Sequence, residues 1–456
     1  MSYSEFLASK AQLSGRHGFT PTFRPSWLYD FQSDLVEWAT WKGRAAIFGD
    51  CGLGKTPMQL VWAQNVVAHT NRPVIILAPL ACVAQTVREA AKFSIDAVRH
   101  EAIGRATIVV SNYERLHHYD PADFAGIVCD ESSILKNFDG ATKAAVTEFA
   151  RRLPYRLLCT ATPAPNDQIE LGTSSEALGE LGYTDMLGMF FKNDEGSIEP
   201  LSYATKWRLK PHATTAFYRW LCSWARAFRS PADLGFADDR FVLPALITRV
   251  HTVAASRPLG GMLFTVPAQT LQEQREERRV TIQARCELVA EQAVDAEGSF
   301  VAWCHLNAEG DLLEKLIPDA QQISGAQSDE RKEELFEAFA TGQLQRLVIK
   351  PKIGAHGMNW QHCARMSVFP SHSYEQYYQA VRRCWRFGQT RPVTVDVVAS
   401  AGEADVLGNL QRKAAAADAM FAHLVTHMRE ASAIDRPIED SPASAILPAW
   451  LTEVPA

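Results

Sequence analysis

Two series of short apolar runs constrain most strongly how this chain can fold. The first series consists of AAIFGD (45–50), PVIILAP (73–79), TIVVSN (107–112), GIVCDE (126–131) and RLLCT (156–160). Stretches with helical periodicity separate these runs. Continuous apolar runs that alternate with helices are typical of parallel strands buried on both faces. The sequence therefore predicts that the first part of the chain is a doubly wound α/β domain.

The second series begins after a charged helical stretch in the second half of the chain. It consists of FVAWCH (300–305), QQIS (321–324), RLVIK (346–350), ARMSVF (364–369) and VTVDVV, which starts at Val393. This series predicts a second α/β domain over 263–430. The intervening stretch 166–262 is dense in aromatic residues and has irregular helical periodicity, so we predict a helical insertion between the domain at 1–165 and the second one. The last stretch, 431–456, is a tail that contains prolines.

Composition limits the environment and the partners of the chain. The 456 residues carry a formal net charge of −6, so any surface that binds a polyanion must be local. The longest apolar stretch, around 74–84, is interrupted by Pro79 and is shorter than the roughly 20 residues that span a bilayer. The amino terminus has no apolar signal core, and the nine cysteines show no paired spacing. We expect a cytoplasmic protein without a membrane partner.

The strongest local signal is the segment GDCGLGKT (49–56), which matches the phosphate-loop pattern and which we call the phosphate loop. It follows a predicted strand and opens a predicted helix, the context in which the pattern is meaningful. Glycines such as Gly49, Gly52 and Gly54 let backbone N–H groups approach phosphate oxygens, and the helix N-terminus adds positive potential. Lys55 is placed to reach the β and γ phosphates, and the hydroxyl of Thr56 to hold Mg²⁺. A glycine turn without a ligand is the alternative interpretation.

A pair of carboxylates, Asp130 and Glu131, ends the apolar strand GIVCDE. Strand ends of a doubly wound sheet open into its ligand crevice. We predict that Asp130 binds Mg²⁺ and that Glu131 is the general base that activates water. In isolation such a pair is more often a solvated strand end, but the phosphate loop favours the functional interpretation.

The third signal is QAVRRCWRFGQ (379–389), in the second α/β domain. Arg383 and Arg386 are three residues apart, which places them on one helix face where both can reach a phosphate held by the other domain. Inserted arginines stabilise the charge of a transferring phosphoryl group. A basic helix face with cation–π contacts to Trp385 is the alternative.

Taken in chain order, these and further segments resemble the superfamily 2 helicase-type ATPases, and in particular the Swi/Snf-related branch in its compact bacterial or phage form. The matching segments are LYDFQSDLVEWA (28–39), DCGLGKT (50–56), ILAPLACVAQTVREA (76–90), VVSNYERL (109–116), DESSILKN (130–137), LLCTATPAPND (157–167), FVAWCHLNAEGDLLEKL (300–316), ISGAQSDERKEELFEAF (323–339), KIGAHGMNW (352–360) and QAVRRCWRFGQTRPVTV (379–395). Ten matching segments in the same order are more specific evidence of a resemblance than any single segment.

The resemblance implies two RecA-like domains that bind ATP and Mg²⁺ between them. On the side of the first domain it implies roles for Gln32, Lys55, Thr56, Asp130 and Glu131, and on the other side for Gly357, Gln379, Arg383 and Arg386. It also implies that Thr160 and Thr162 relay domain closure to the nucleic acid. The segments that follow a nucleic-acid backbone in such motors contain Pro79, Ser111, Asn112, Ser324 and Gly325. Hydroxyl and backbone contacts to phosphate are independent of base sequence.

The chain departs from the family pattern at three places. Ser132 and Ser133 follow the acidic pair where the family usually has a histidine. Arg382 precedes Arg383, the first of the two inserted arginines, at a position where the family commonly has an acidic residue. The sequence SYE at 373–375 replaces the usual tryptophan-asparagine-proline segment. These departures concern the coupling between the domains rather than the binding of ATP.

Local charge favours a nucleic-acid partner despite the acidic total. Between 341 and 391 the chain has eight lysines and arginines and one glutamate. Lys350 and Lys352 flank Pro351 at a predicted strand end and are candidates for phosphate contacts, with a solvated loop as the equal alternative. The aromatic residues of 207–228 are expected to pack in a core, and a role in separating or supporting strands is the second interpretation.

The sequence therefore predicts an ATP-hydrolysing motor that moves along DNA, duplex rather than single-stranded, with proteins of replication or recombination as further partners. A helicase that acts on RNA or on single strands is the alternative of the same class. An ATP-switched scaffold that does not translocate is the alternative of a different class.

Overall fold

The computed structural model describes residues 15–99, 107–193, 207–238, 240–254, 271–354 and 359–434. The strands are β1 (Arg44–Gly49), β2 (Val74–Ala78), β3 (Ala97–Arg99), β4 (Ile108–Asn112), β5 (Gly126–Asp130), β6 (Tyr155–Cys159), β7 (Phe191–Asn193), β8 (Trp207–Leu209), β9 (Ala225–Phe228), β10 (Leu246–Val253), β11 (Phe300–Trp303), β12 (Ala320–Ile323), β13 (Arg346–Ile349), β14 (Arg365–Val368) and β15 (Val393–Ser400). The α-helices are α1 (Asp30–Lys42), α2 (Lys55–Thr70), α3 (Leu80–Lys92), α4 (Ala141–Arg151), α5 (Leu171–Leu178), α6 (Tyr183–Phe190), α7 (Thr214–Trp224), α8 (Leu271–Val280), α9 (Ile282–Val294), α10 (Asn307–Leu316), α11 (Asp329–Ala340), α12 (Pro351–Gly354), α13 (Tyr374–Cys384) and α14 (Ala404–Ile434).

The first domain is built on a seven-stranded sheet with the order β3-β4-β2-β5-β6-β1-β9. Its strand pairs are all parallel. Strands β2, β4 and β5 are buried along their whole length. Successive residues of a strand contribute to opposite faces: Ile75 and Leu77 pack with helices α4 to α7, whereas Val74 and Ile76 pack with α1 to α3. Helices therefore cover both faces, as the apolar runs predict.

The second domain is built on a six-stranded parallel sheet with the order β10-β15-β14-β11-β13-β12. Val301 and Trp303 of β11 pack against α11 and α13 on one face, and Phe300 and Ala302 pack against α9 and α10 on the other. Both domains therefore have the doubly wound architecture of RecA-like domains, and the predicted fold class is confirmed.

The stretch 166–262, predicted as a helical insertion, contains helices α5, α6 and α7 together with four strands in the part that the structure describes. Strands β7 and β8 form a small antiparallel pair. Strand β9 pairs with β1 at the edge of the first sheet, and β10 pairs with β15 at the edge of the second. The chain thus leaves the first sheet after Phe228 and enters the second at Leu246. The aromatic residues Phe217 and Trp224 of this stretch are fully buried in the first core, as expected.

Helix α14 returns from the second domain to the first. It follows β15, yet Met420, Phe421, Leu424 and Met428 belong to the core of the first domain. Arg229 forms an ion pair with Asp418 on this helix at 2.7 Å. The last helix therefore ties the two domains together. The tail after Ile434 lies outside the described residues.

Parallel strands place their carboxyl ends at one edge of each sheet, and this arrangement determines where the site is. In the first sheet, the phosphate loop follows β1, Asp130 ends β5 and Thr160 follows β6. The ends of β2 and β4 lie farther along the same edge. Among the helices in the described ranges, none is both long enough and apolar enough to cross a bilayer.

Candidate active site

The phosphate loop follows β1 and leads directly into α2. Gly52 and Gly54 have φ angles of +86° and +76°, in the left-handed region that favours glycine. The Lys55 ammonium donates to the carbonyl oxygens of Gly49 at 2.9 Å and of Asp50 at 3.2 Å. These contacts hold the lysine over its own loop. Thr56 is the next residue of the helix and is half-buried.

Gln32 of helix α1 is hydrogen-bonded to this loop. Its side-chain amide donates to the carbonyl of Leu53 at 3.0 Å, and its Oε1 accepts from the backbone N–H of Tyr29 at 3.2 Å. A Cβ added to Gly54 would lie 2.2 Å from Nε2 of Gln32, so the loop and the amide are in close contact. The structure therefore connects Gln32 to the shape of the phosphate loop.

Asp130 lies at the end of β5, with only 8% of its surface exposed. Its Oδ1 accepts from the Gln59 amide at 2.7 Å. Burial, and after it the charge of Glu131, raises the pKa of Asp130 from 3.8 to about 6. Among the described residues, no lysine or arginine forms an ion pair with it. A buried carboxylate that lacks a cationic partner fits a hard divalent cation such as Mg²⁺, which takes oxygen ligands.

Glu131 adopts a φ of +51°, which is unusual for a residue other than glycine. Strained backbone of this kind occurs where the surrounding structure fixes it. Its Oε2 accepts from the Thr160 hydroxyl at 3.2 Å and from the Gln379 amide at 3.5 Å. The carboxylate therefore touches both the strand end after β6 and the helix of the other domain.

Helix α13 of the second domain packs against the phosphate loop. Oε1 of Gln379 accepts from the Arg383 guanidinium at 2.8 Å and from the Cys51 thiol at 3.8 Å, while its amide nitrogen faces Glu131. Both groups of this glutamine amide are thus oriented by neighbours. An added Cβ on Gly52 would meet the backbone nitrogen of Phe387 at 3.0 Å. The two domains are therefore in contact at the loop.

Arg383 lies on α13, whereas Arg386 follows the helix after its end at Cys384. The prediction that both arginines lie on one helix face is therefore wrong, although both are close to this contact. Arg383 is 3% exposed. The same added Cβ on Gly52 would lie 3.4 Å from Cβ of Arg386. Burial, followed by the charge of Arg383, lowers the pKa of Arg386 to about 10. A buried guanidinium group and a half-buried one beside the phosphate loop favour an anion between the domains.

The residues expected to face nucleic acid in the first domain follow the other half of the sheet edge. Pro79 precedes α3 after β2. Asn112 ends β4, where its amide donates to Glu114 at 2.8 Å. Ser111 is fully buried, so its hydroxyl does not reach the surface. Of these three residues, Pro79 is the one next to an exposed side chain, Leu80, which is 58% exposed.

Thr160 and Thr162 are buried between the acidic pair and helix α14. The Thr160 hydroxyl, which donates to Glu131, also accepts from the backbone N–H of Thr162 at 3.1 Å. Thr162 lines a small cavity together with Tyr378 of α13 and Phe421 of α14. The segment after β6 therefore touches the acidic pair at one end and two elements of the second domain at the other.

The candidates in the second domain lie after neighbouring strands. Ser324 follows β12 and its backbone N–H donates to Gln327 at 3.0 Å; Gly325 is exposed and open on all sides. Lys350 follows β13 and its ammonium donates to Asn307. Lys352 is exposed on the short helix α12. Gly357 lies outside the described residues.

Some residues of the site were not among the sequence predictions: Gln59, which contacts Asp130 within the first domain, and Asp50, Lys136, Glu375 and Tyr378 at the domain contact. Gln59 lies one turn after Thr56 on α2, a spacing that places both at the same helix face. Glu375, Tyr378, Gln379 and Arg382 are spaced by three, one and three residues along α13, which indicates one face. This spacing is the signal that could have identified the docking face.

Comparisons with known proteins found similarity in structure but none in sequence. No protein-family model matches the chain, and no curated protein matches it. The chain is similar in structure to the Sulfolobus solfataricus SWI2/SNF2 ATPase core in complex with dsDNA, with 15% sequence identity and a TM-score of 0.40. The match covers 92% of this chain and 97% of that chain.

Proposed function

We propose that the protein is an ATP-driven DNA motor that hydrolyses ATP between its two RecA-like domains. One observation carries this proposal: helix α13 of the second domain meets the phosphate loop of the first, and Gln379 reaches Glu131 across that contact. A nucleotide-binding protein that acts as a simple carrier has no need for arginines from a second domain. Phosphoryl transfer does, because it depends on positioning and on stabilisation of charge.

The residues divide the work of hydrolysis as follows. Backbone N–H groups of the loop and the Lys55 ammonium bind the β and γ phosphates. Glu131 accepts a proton from the attacking water, and its two hydrogen-bond donors, Thr160 and Gln379, fix its direction. Arg383 and Arg386 stabilise the charge that develops on the transferring group.

Asp130 and Thr56 are the residues that would hold Mg²⁺. The ion, bound with the triphosphate, would neutralise negative charge on the phosphate oxygens. Gln59 holds the Asp130 carboxylate in place through the contact at 2.7 Å. The Tyr113 hydroxyl donates to the Asp130 carbonyl at 2.6 Å and fixes the strand end.

Coupling to DNA follows from the arrangement of the sheet edges. Domain closure and opening would move Pro79 and Asn112 of the first domain relative to Ser324, Gly325 and Lys352 of the second. Contacts of these groups with phosphates would make the movement independent of base sequence. The Thr160 to Thr162 segment supports coupling, because it connects Glu131 with side chains of the second domain.

The experiment is the rate of ATP hydrolysis with duplex DNA, with single-stranded DNA, with RNA and without nucleic acid, at low salt where phosphate contacts are strongest. We expect the largest stimulation with duplex DNA. Stimulation by RNA or single strands alone would favour the conventional helicase, and equal rates in all four samples would contradict the proposal.

The variant Glu131→Gln tests whether the measured ATP hydrolysis takes place at this site. We expect the variant to bind ATP and to lose turnover by about 10²-fold or more, because the amide cannot accept the proton. Displacement of a third strand from long duplex then separates a motor from a scaffold that hydrolyses ATP without moving.

A further inference from the structure

One face of helix α13 contacts the first domain through two ion pairs, one of them with the phosphate loop. Near the start of the helix, Glu375 forms an ion pair with Lys136, in the segment after β5. In its last turn, Arg382 forms an ion pair with Asp50 of the phosphate loop at 2.5 Å. Gln379, which reaches Glu131, lies between these two points on the same face.

The second of these points is a buried cluster. The Arg382 side chain is 3% exposed and that of Asp50 is 11% exposed. Arg382 also donates to the carbonyl of Cys51 at 3.1 Å, and the Tyr378 hydroxyl donates to Oδ1 of Asp50. Burial acts to lower the pKa of Arg382, but the charge of Asp50 raises it above its usual value. The guanidinium is thus strongly held as a cation by the loop.

The two ion pairs have opposite polarity. An acidic side chain near the helix N-terminus and a basic one in the last turn both match the helix dipole. Their partners, Lys136 and Asp50, lie in loops that follow different strands of the first sheet. A shift of the helix by one turn, about 5.4 Å, would break both pairs at once. Together they therefore specify a single register of the helix on the first domain.

We propose that Glu375 and Arg382 are positioning residues that set the closed register of α13 and contribute to the closure of the two domains. This inference rests on the proposed hydrolysis of ATP at the same contact. Because closure is then favoured by protein groups as well as by the triphosphate, loss of a pair lowers the closed fraction and raises the KM for ATP. At saturating ATP the nucleotide restores closure, so kcat changes much less.

The Lys136–Glu375 pair allows a charge swap, since neither residue contacts the phosphate loop. We compare Lys136→Glu, Glu375→Lys and the double variant, together with Arg382→Gln. Each single variant is expected to raise KM on the order of tenfold, within the range of typical coupling between sites. The double variant is expected to return KM to that of the parent protein. Loss of Arg383 or Arg386, in contrast, is expected to lower kcat.

The second readout is the distance between the domains, which does not depend on activity. All nine cysteines are buried, so dyes react selectively with cysteines introduced at the exposed positions Asp123 and Glu333. Energy transfer between the dyes is measured without nucleotide and with a non-hydrolysable ATP analogue. Single variants are expected to shift the nucleotide-free distribution toward the open state, and the double variant to restore it.

The matched control is an ion pair that stays within the second domain. Arg331 and Glu334 on α11 are exposed and 3.0 Å apart. Swapping them, as Arg331→Glu with Glu334→Arg, should change neither KM nor the distance. If charge reversal prevents folding, Glu375→Gln removes the charge without reversing it and gives the same readouts.

Two results would overturn the proposal. One is an unchanged distance distribution and KM in the single variants, and the other is a failure of the double variant to restore them. A protein without ATPase activity would remove the proposed function, yet the distance measurement would still decide whether the ion pairs close the domains.

Discussion

The two domains contribute to the candidate site in different ways. The first domain contributes three strand ends and a loop in which Gly52 and Gly54 adopt left-handed backbone, so main-chain geometry shapes much of its part of the site. The second domain contributes side chains from one face of helix α13 and, just after the helix, Arg386. We therefore expect the first domain to depend on loop backbone as well as on the Lys55 side chain, whereas the second depends on side chains alone.

The largest expected effect comes from removing a side chain of the second domain. Arg386→Ala should lower kcat for ATP hydrolysis on the order of 10³-fold, because inserted arginines stabilise the transferring phosphoryl group. ATP binding should change little, because the phosphate loop is intact. Steady-state hydrolysis and equilibrium nucleotide binding measure the two effects. Arg391→Ala is the control, because Arg391 is an exposed arginine of the same domain. A parental rate of hydrolysis in Arg386→Ala would show that the second domain does not contribute this side chain to the reaction.

The next effect tests the backbone of the first domain. Gly54→Ala places a Cβ 2.2 Å from Nε2 of Gln32 and forces a left-handed conformation with a φ of +76°. Gly235 has a φ of +84° and open space around its Cβ, so Gly235→Ala carries the same strain without the clash. Both variants should lose about 1–2 kcal/mol of stability from backbone strain, as measured by urea unfolding.

Only Gly54→Ala should also weaken ATP binding, by roughly tenfold, which corresponds to about 1.4 kcal/mol. The reason is that the loop must move away from Gln32 to accept the Cβ. Equal ATP affinity in the two glycine variants would show that the loop accepts the added Cβ without losing ATP binding. The first domain would then not depend on its loop backbone in the way we expect.

The smallest expected effect is the dependence of stability on pH. The pKa of Asp130 is raised to about 6 by burial and by Glu131, whereas an unfolded aspartate titrates near 3.8. Between these values the folded protein binds a proton that the unfolded chain has released, so stability falls as pH rises and the full cost is present above pH 6. Asp130→Asn should remove this slope.

Above pH 6 the Asn variant should be more stable on the order of 1 kcal/mol, since it keeps an oxygen for the Gln59 amide but carries no charge. Urea unfolding at several pH values, in buffer with a chelator, measures the effect. If the free energy of unfolding depended on pH in the same way in both proteins, burial of the Asp130 carboxylate would carry no net cost in the folded state.

The sequence was sufficient to predict the parallel sheets, because their strands are continuous apolar runs. GIVCDE, for example, corresponds to β5, which is buried at every residue. It did not reveal β9 or β10. Strand β9 has four residues directly after the aromatic helix α7, and β10 is an edge strand with mostly exposed residues, so neither carries the pattern of a buried strand.

Site prediction shows a similar division. Motif spacing identified Lys55 and Asp130, and the family resemblance identified Gln379, which the structure brings to Glu131 and Cys51. The catalytic roles of these residues stay predictions. Spacing did not reveal that Arg382 meets the loop at Cys51, because the two residues are 331 positions apart in the chain. Periodicity describes the face of a helix, and only packing shows what that face meets.

Helix α14 has a consequence for the synthesis of the protein. The thiol of Cys222 in α7 contacts the carbonyl of Leu424, 202 residues later. A ribosome that adds roughly 5–20 residues per second needs about 10–40 s to cover this interval. Throughout that time the nascent first domain exposes the apolar surface that Phe421 and Leu424 later cover, so folding factors have their longest opportunity to bind it before translation ends.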